Sequence, residues 1–551
     1  MTNPSPAGAA AARLLARLTA LGLRHVVVSP GSRSQALALA AAALERQGAL
    51  QLHVRIDERV GGFTALGLAA ESGLPVAVVV TSGTAVAELH PAVLEAHHAG
   101  VPLLLLTADR PEELRGTGSN QTTVQPGLFG IAVAEVLDVA APEDDEDLDV
   151  AGAVAEHAWT VAVRERQPVQ VNLAYREPLS SALDELPPFG EPMPVAAPDA
   201  AALPVEPGPR TVVIGGDRAG EEAEAFARAL DAPLLAEVSS GARFGPQLVG
   251  AYRQLLDHVD FGGRVERAVV FGHPTLSRQV PRLLASADVD VVLVGPAGGE
   301  WFDPTRGRAA RTGAVRATGA DPDRSWAGRW VAASRALLDE TEDLPYAGRP
   351  DEPGAKERRE HQRSELAALR APITRRVLVD AVWRATWPHD RLVVAASRLI
   401  REMDAVVPGK RISVLANRGL AGIDGTVSTA TGVALAHLGS GRPGTTRVLL
   451  GDLAMLHDTG ALLKAPGEPE PRLQVIVGDD GGGTIFDSLE VAGSAPADDF
   501  ERVLRTPRSV DYAALAAAYG WEHRRIENRG DLDRVLTAPA AGRSLIEVPL
   551  R

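Results

Sequence analysis

The chain has 551 residues, 56 of them basic and 71 acidic, giving a net charge of −15, and it has no cysteine. That length exceeds what one hydrophobic core supports and points to about three or four domains, while the acidic balance argues against a broad nucleic-acid or anionic-membrane footprint. The missing thiols exclude disulfides, thiolate nucleophiles and cysteine metal ligands.

In chain order, the Met1–Gly8 lead-in lacks the basic-then-apolar order of a secretory leader, and no apolar run is long enough to span a bilayer, so a cytoplasmic protein is expected. A helix predicted over Ala9–Leu21 leads into the strand His25–Val28 and the turn Ser29-Pro-Gly-Ser-Arg-Ser34. Its amides and hydroxyls suit an anion at a helix start, with Ser32 and the forked Arg33 guanidinium as donors; a capped turn with a solvated arginine is the plainer account. Then comes His53-Val-Arg-Ile-Asp57-Glu58-Arg59, followed by Val60-Gly-Gly62 and a helix predicted from Phe63 to Ala70. Small residues after the acidic pair permit close packing, which would put Glu58 at a buried strand-to-helix junction where a carboxyl gains proton affinity; pairing with Arg59 or the helix dipole is the alternative. The strand Pro75–Val80 ends in Thr81-Ser82-Gly83-Thr84 before a helix predicted over Ala85–Ala96. Val101–Leu106 ends in Thr107-Ala-Asp-Arg110-Pro111, with Asn120-Gln121 beyond it, so four strand-turn-helix units give a parallel sheet with a polar rim. His90, His97 and His98 have no acidic partner at metal-binding spacing and read as structural.

A strand over Val169–Leu173 closes the first unit, and the Pro/Ala-rich stretch from Leu186 to Pro209 reads as a linker. The second α/β unit has strands predicted at Thr211–Ile214, Pro233–Val238, Arg267–Phe271 and Asp290–Val294. Its Gly215-Gly-Asp-Arg-Ala-Gly220 has the wrong spacing for a dinucleotide fingerprint, so this unit reads as scaffold. Arg306 and Arg308 could face a ligand from it, although solvated arginines are commoner.

A charged second linker from Asp343 leads to a helix predicted over Ile373–Trp387, which opens the third unit. Strands at Leu392–Ala395 and Ile412–Leu415 deliver Ser397 and Arg401, then Asn417-Arg418-Gly419, and Ile423 stands between glycines ahead of a helix over Ser428–Ala436. Two further apolar strands, Arg447–Leu450 and Leu473–Val477, deliver Gly451-Asp452-Leu453 and Gly478-Asp-Asp480-Gly-Gly482-Gly483. Two acidic, glycine-flanked turns at adjacent strand ends suit a hard cation bridging to a phosphate; N-capping aspartates are the plain alternative.

Taken together, the motifs at 29–34, 57–59, 81–85, 107–111, 120–121, 417–419, 422–425 and 451–453 resemble the thiamine-diphosphate enzymes. The closest likeness is to the carboligases of menaquinone biosynthesis. The resemblance covers nearly the whole chain, is weak in the middle unit, and departs at 478–481, where an Asn-rich turn is usual. It implies an α/β protein of three doubly wound parallel-sheet domains: a pyrimidine-binding domain (1–185), a linker (186–209), a central scaffold (210–342), a second linker (343–365) and a diphosphate-binding domain (366–551). It implies thiamine diphosphate with Mg²⁺, or Mn²⁺, held through Asp452, Asp480 and Gly482, with Thr81, Ser82, Gly83, Gly451, Leu453 and Ile485 around the cofactor. Glu58 would bond the pyrimidine nitrogen as the catalytic acid/base, and Ile423 would hold the cofactor bent. The substrates implied are 2-oxoglutarate and isochorismate, their carboxylates met by Ser32, Arg33, Arg110, Gln121, Arg306, Ser397, Arg401 and Arg418. A homodimer or homotetramer with sites between subunits is also implied, with no nucleic-acid partner. The alternatives are an acetohydroxyacid-synthase-like enzyme acting on pyruvate and a non-catalytic relative that keeps the scaffold.

Overall fold

A computed structural model describes residues 5–181, 201–296, 301–320, 323, 325–340 and 355–550. Most of both stretches read as linkers, 186–200 and 343–354, lies outside the described residues. Three parallel sheets organise the chain. The first contains β1 (His25–Val28), β2 (Gln51–Val54), β3 (Val76–Val80), β4 (Leu103–Asp109), β5 (Glu135–Val139) and β6 (Val169–Ala174), ordered β2-β1-β3-β4-β6-β5. In the middle are β7 (Leu203–Val205), β8 (Thr211–Gly215), β9 (Leu234–Ala236), β10 (Arg267–Phe271), β11 (Asp290–Val294), β12 (Ala310–Thr312) and β13 (Val315–Ala317). Five of them form a sheet ordered β12-β11-β10-β8-β9, and β7 pairs with β13. The third sheet holds β14 (Arg391–Val394), β15 (Ser413–Leu415), β16 (Thr446–Gly451), β17 (Leu473–Asp479), β18 (Glu522–Arg525) and β19 (Arg543–Pro549), ordered β15-β14-β16-β17-β19-β18.

The first and third sheets are therefore wound identically. In each, the strand order reverses at its first strand, which opens a crevice at the carboxyl ends of β1 and β3, and again at those of β14 and β16. Such switch points are where open α/β sheets take ligands. The strands feeding them are short apolar runs buried on both faces, as parallel strands covered by helices must be.

Several elements differ from expectation. The helix expected from Phe63 begins at Glu58, capped by Asp57, whose carboxylate accepts the Val60 amide at 3.1 Å. Val60-Gly61-Gly62 has poor helix propensity, but Val60 through Ala69 is buried throughout, and packing outweighs propensity. The helix expected over Ala85–Ala96 is two, Thr84–Ala87 and His90–Ala99, broken just before Pro91, which has no amide to donate. Strands β5, β18 and β19 have no sequence forecast; β18 reads Glu-His-Arg-Arg, a polar edge strand without alternation.

The first and third sheets are joined within the chain. The helices Glu58–Ser72 and Thr426–Gly439 cross backbone on backbone: a Cβ on Gly67 would lie 1.9 Å from the Thr429 carbonyl oxygen, and one on Gly432 2.1 Å from that of Thr64. Around this crossing run the ion pairs Arg55–Glu468 at 2.8 Å and Arg391–Glu71 at 2.7 Å. No described helix is long and apolar enough to cross a membrane.

The neighbouring strands β1 and β2 also bury two histidines, His25 Nδ1 and His53 Nε2 lying 3.2 Å apart. Burial, then Arg24, lowers His25 to about 4; burial, then His25 and Arg55, lowers His53 to about 3. Between pH 6.5 and 4 the unfolded chain takes up protons that the folded chain refuses, so this pair's contribution is present above 6.5 and is lost on acidification. Each histidine is worth at most about 1.4 kcal/mol per pH unit. A His53→Gln variant should therefore lose less stability than the wild type between pH 6.5 and 5 in urea unfolding; parallel pH profiles for the two proteins would refute this.

Candidate active site

At the first switch point the turn after β1 meets the turn after β3, the Arg33 amide lying 3.3 Å from Thr81 Oγ1. Arg110, which follows β4 and is 9% exposed, donates to the Ser82 hydroxyl and, at 2.6 Å, to the Gln121 carbonyl. Gln121 holds a left-handed backbone and returns its side-chain amide to the Ser82 carbonyl at 2.8 Å. Ser32, Arg33, Thr81, Ser82, Gly83, Arg110 and Gln121 thus line one rim. Arg33 donates to the Tyr175 carbonyl at 3.0 Å, and its buried Nε has no partner among the described residues. Burial, then the like charge of Arg110, lowers its proton affinity. Two guanidiniums held together at a half-buried rim call for an anion.

A second basic group forms where the third sheet meets the middle one. Arg418, buried after β15, donates to Thr275 Oγ1 at 2.9 Å, and Arg401 reaches the Leu276 carbonyl at 3.4 Å from a more open position. Burial, then Arg418 and Arg253, lowers Arg401. Arg306 is not gathered into either group: it sits exposed in a left-handed turn after Asp303.

At the third sheet's switch point, Asp452 opens a short helix directly after β16 and is 3% exposed. One carboxylate oxygen accepts the Leu453 amide at 2.8 Å; the other, Oδ2, is buried and has no hydrogen-bond partner among the described residues. Burial above all, then the carboxylates of Asp480 and Asp479, holds Asp452 up at about 6 against the pull of the Leu453 and Gly482 amides. Ser397 Oγ after β14, Asn417 Oδ1 after β15 and Thr426 Oγ1 at the next helix start are likewise buried and unpaired among the described residues. An orphaned oxygen among three carboxylates, on a sheet whose neighbouring strands β14 and β15 also end in unsatisfied polar groups, is the donor set a hard cation and its phosphate would satisfy. Asp480, however, is engaged: its Oδ2 accepts Arg375 at 2.8 Å and Thr484 Oγ1 at 2.5 Å, while the Gly482 carbonyl accepts the Thr484 amide at 2.8 Å. Sequence reasoning missed both partners: Arg375 because no local motif announces a pairing across 105 residues, and Thr484, four residues past Asp480, because the glycine-rich turn between them does not fix which way its hydroxyl faces.

Glu58 is half-buried in the first turn of its helix, and its side chain has no hydrogen bond or ion pair among the described residues. The alternative pairing with Arg59 is not made: Arg59 donates to the His457 carbonyl at 3.3 Å and lies 3.5 Å from buried Asp458. His457 ends the short helix that Asp452 begins, so within one chain the two acidic corners are tied through Arg59. Ile423, on the loop between β15 and the Thr426 helix, is an apolar side chain 37% exposed, and Leu453 and Ile485 are half-buried beside the acidic turns.

The family model "Thiamine pyrophosphate enzyme, N-terminal TPP binding domain" matches residues 9–128, which contain the first rim and Glu58. Two proteins named 2-succinyl-5-enolpyruvyl-6-hydroxy-3-cyclohexene-1-carboxylate synthase are similar over nearly the full length. The one from Leifsonia xyli is 57% identical, covering 99% of this chain and 97% of its own; that from Clavibacter michiganensis is 54% identical, covering 100% and 97%. The crystal structure of benzoylformate decarboxylase from Polynucleobacter necessarius superposes with a TM-score of 0.68 at 16% identity, covering 98% of both chains, a likeness of fold. The chain therefore belongs to the 2-succinyl-5-enolpyruvyl-6-hydroxy-3-cyclohexene-1-carboxylate synthase family of thiamine-diphosphate enzymes.

Proposed function

We propose that the chain decarboxylates 2-oxoglutarate and joins the remaining four-carbon unit to isochorismate by conjugate addition. The products are 2-succinyl-5-enolpyruvyl-6-hydroxy-3-cyclohexene-1-carboxylate and CO₂, on the route to menaquinone. In this reading Asp452, Asp480 and the Gly482 carbonyl hold Mg²⁺, or Mn²⁺ in its place, against the cofactor's diphosphate, with Gly451, Leu453 and Ile485 beside it. When bound, thiamine diphosphate supplies a carbon nucleophile for the keto carbon and an electron sink for the charge left by CO₂. Glu58 holds a proton at the pyrimidine nitrogen, Thr81, Ser82 and Gly83 border that ring, and Ile423 supports the cofactor's bend from its exposed apolar side chain. Ser32, Arg33, Arg110 and Gln121 from one rim, with Ser397, Arg401 and Arg418 from the other, neutralise the substrate carboxylates. Arg306 enters that set on the family resemblance alone, since it lies exposed and outside both groups. A homodimer or homotetramer in the cytoplasm completes the reading, with residues 1–185, 210–342 and 366–551 as its three domains.

The assignment rests above all on the two groups of mutually repelling guanidiniums in a protein that is acidic overall: a monocarboxylate such as pyruvate leaves most of that charge unmatched. With Mg²⁺, thiamine diphosphate and isochorismate, the purified protein should consume 2-oxoglutarate with a kcat/KM about tenfold or more above that for pyruvate, the scale of a lost charge-assisted contact. Equal use of the two keto acids would favour an acetohydroxyacid-synthase-like activity instead.

A further inference from the structure

Ile423 stands on a loop that the third sheet does not hold by itself. Between Gly419 and Gly425 the chain bulges outward, leaving Leu420 53% and Ile423 37% exposed, with Ala421 in a left-handed conformation. Both ends of the bulge are fixed by the first domain. At one end, Gly425 is left-handed and would drive a Cβ to 2.1 Å from the Phe63 ring. At the other, Gly419 is pressed on the helix His90–Ala99, where a Cβ would lie 2.7 Å from the Glu95 carbonyl oxygen. There the Glu95 side chain, 4% exposed, accepts the Gly419 amide on one carboxylate oxygen at 2.7 Å and the Leu420 amide on the other at 2.8 Å. This buried acid is spent on two backbone amides of another domain, at a cost in burial that lifts its proton affinity to about 7. A structural acid in such a place is expected to pair with a base; one that grips consecutive amides fixes backbone direction.

We propose that Glu95 is a positioning residue for the reaction: by clamping the Gly419 and Leu420 amides it sets the height and direction of the loop that carries Ile423 against the cofactor. The proposal rests on the role given to Ile423 above. Glu58 and Phe63 lie on one helix and Glu95 on the next but one, so the domain that supplies the acid to the pyrimidine also fixes the wedge beneath a bound cofactor through its own chain's third domain. Arg418, immediately before the clamp, is held separately by Thr275 of the middle domain.

The test uses the full-length protein with Glu95→Gln, which keeps size but turns a donor toward one amide, and Glu95→Asp, which keeps the charge in the junction but is too short to reach both amides. In the cofactor-free protein, hydrogen exchange over residues 417–425 should rise about tenfold or more in both variants, with the body of the Thr426–Gly439 helix unchanged. Calorimetric affinity for thiamine diphosphate with Mg²⁺ should stay within about threefold, because the diphosphate anchor is untouched. Turnover at saturation should fall about tenfold while the KM for 2-oxoglutarate holds, and Glu95→Gln should add little to the loss already caused by Ile423→Ala. Unchanged loop exchange, or losses that multiply with Ile423→Ala, would overturn the proposal while the assigned function stands. A wild-type protein that binds no thiamine diphosphate would overturn the assigned function and this inference with it.

Discussion

Glu58→Gln is expected to leave the fold and cofactor affinity intact and to lower turnover by about 10² or more, the usual loss when a positioned acid/base is removed. The structure separates these outcomes. Asp57, not Glu58, caps the helix, and Arg59, not Glu58, makes the tie to Asp458, so neither the helix start nor the domain junction draws on the Glu58 carboxylate. Glutamine keeps the side chain's volume in a half-buried place and adds no unsatisfied buried group. What it removes is the capacity to share a proton with a ring nitrogen. Turnover should be measured at saturating thiamine diphosphate, Mg²⁺ and both substrates, alongside the thermal unfolding curve. An unfolding curve that matches the wild type with turnover reduced is the expected pair; turnover equal to the wild type would remove Glu58 from the chemistry.

The legible parts of this molecule were those written locally. The apolar runs ending in Ser29–Ser34, Thr81–Gly83, Arg110 and Asp452 read as buried strands delivering polar turns, and the structure places each turn at a sheet's carboxyl edge, because period and turn chemistry are properties of neighbouring residues. The parts that stayed hidden depend on distant partners. Nothing near Arg375 says that it will meet Asp480, and nothing near Glu95 says that it will hold Gly419 and Leu420, more than three hundred residues away. The start of the helix at Glu58 is hidden for the same reason. Val-Gly-Gly is a poor helix opening in isolation, and becomes a good one only against the helices it packs on. Ser32 and Arg33 show the intermediate case: their turn could be read, but the pressure of Arg110 on Arg33, which makes the rim need an anion, is visible only once β1 and β4 share a sheet.

The second large effect concerns Asp452, for which stability and ligand binding should move in opposite directions. In the cofactor-free protein this carboxylate is buried, has one oxygen unpaired and faces Asp480 and Asp479, so its charge is a burden on the fold. Its proton affinity is raised to about 6 from 3.8, so the burden is small below pH 4, grows as pH rises toward 6 and is complete above it, at most about 3 kcal/mol. Asp452→Asn, which keeps the shape, should therefore make the ligand-free protein more stable at pH 8 than the wild type and nearly equal to it at pH 4. Asp452→Ala relieves the same repulsion but gives up the bond to the Leu453 amide. Adding Mg²⁺ and thiamine diphosphate reverses the ranking. The wild type gains about 2.7 kcal/mol at a ligand concentration one hundred times its dissociation constant, whereas neither variant gains, because the cation has lost the oxygen left open for it. Calorimetry in the presence of Mg²⁺ should show binding heat for the wild type and none for Asp452→Ala; retained affinity in that variant would mean that the cation, and with it the diphosphate, is held elsewhere.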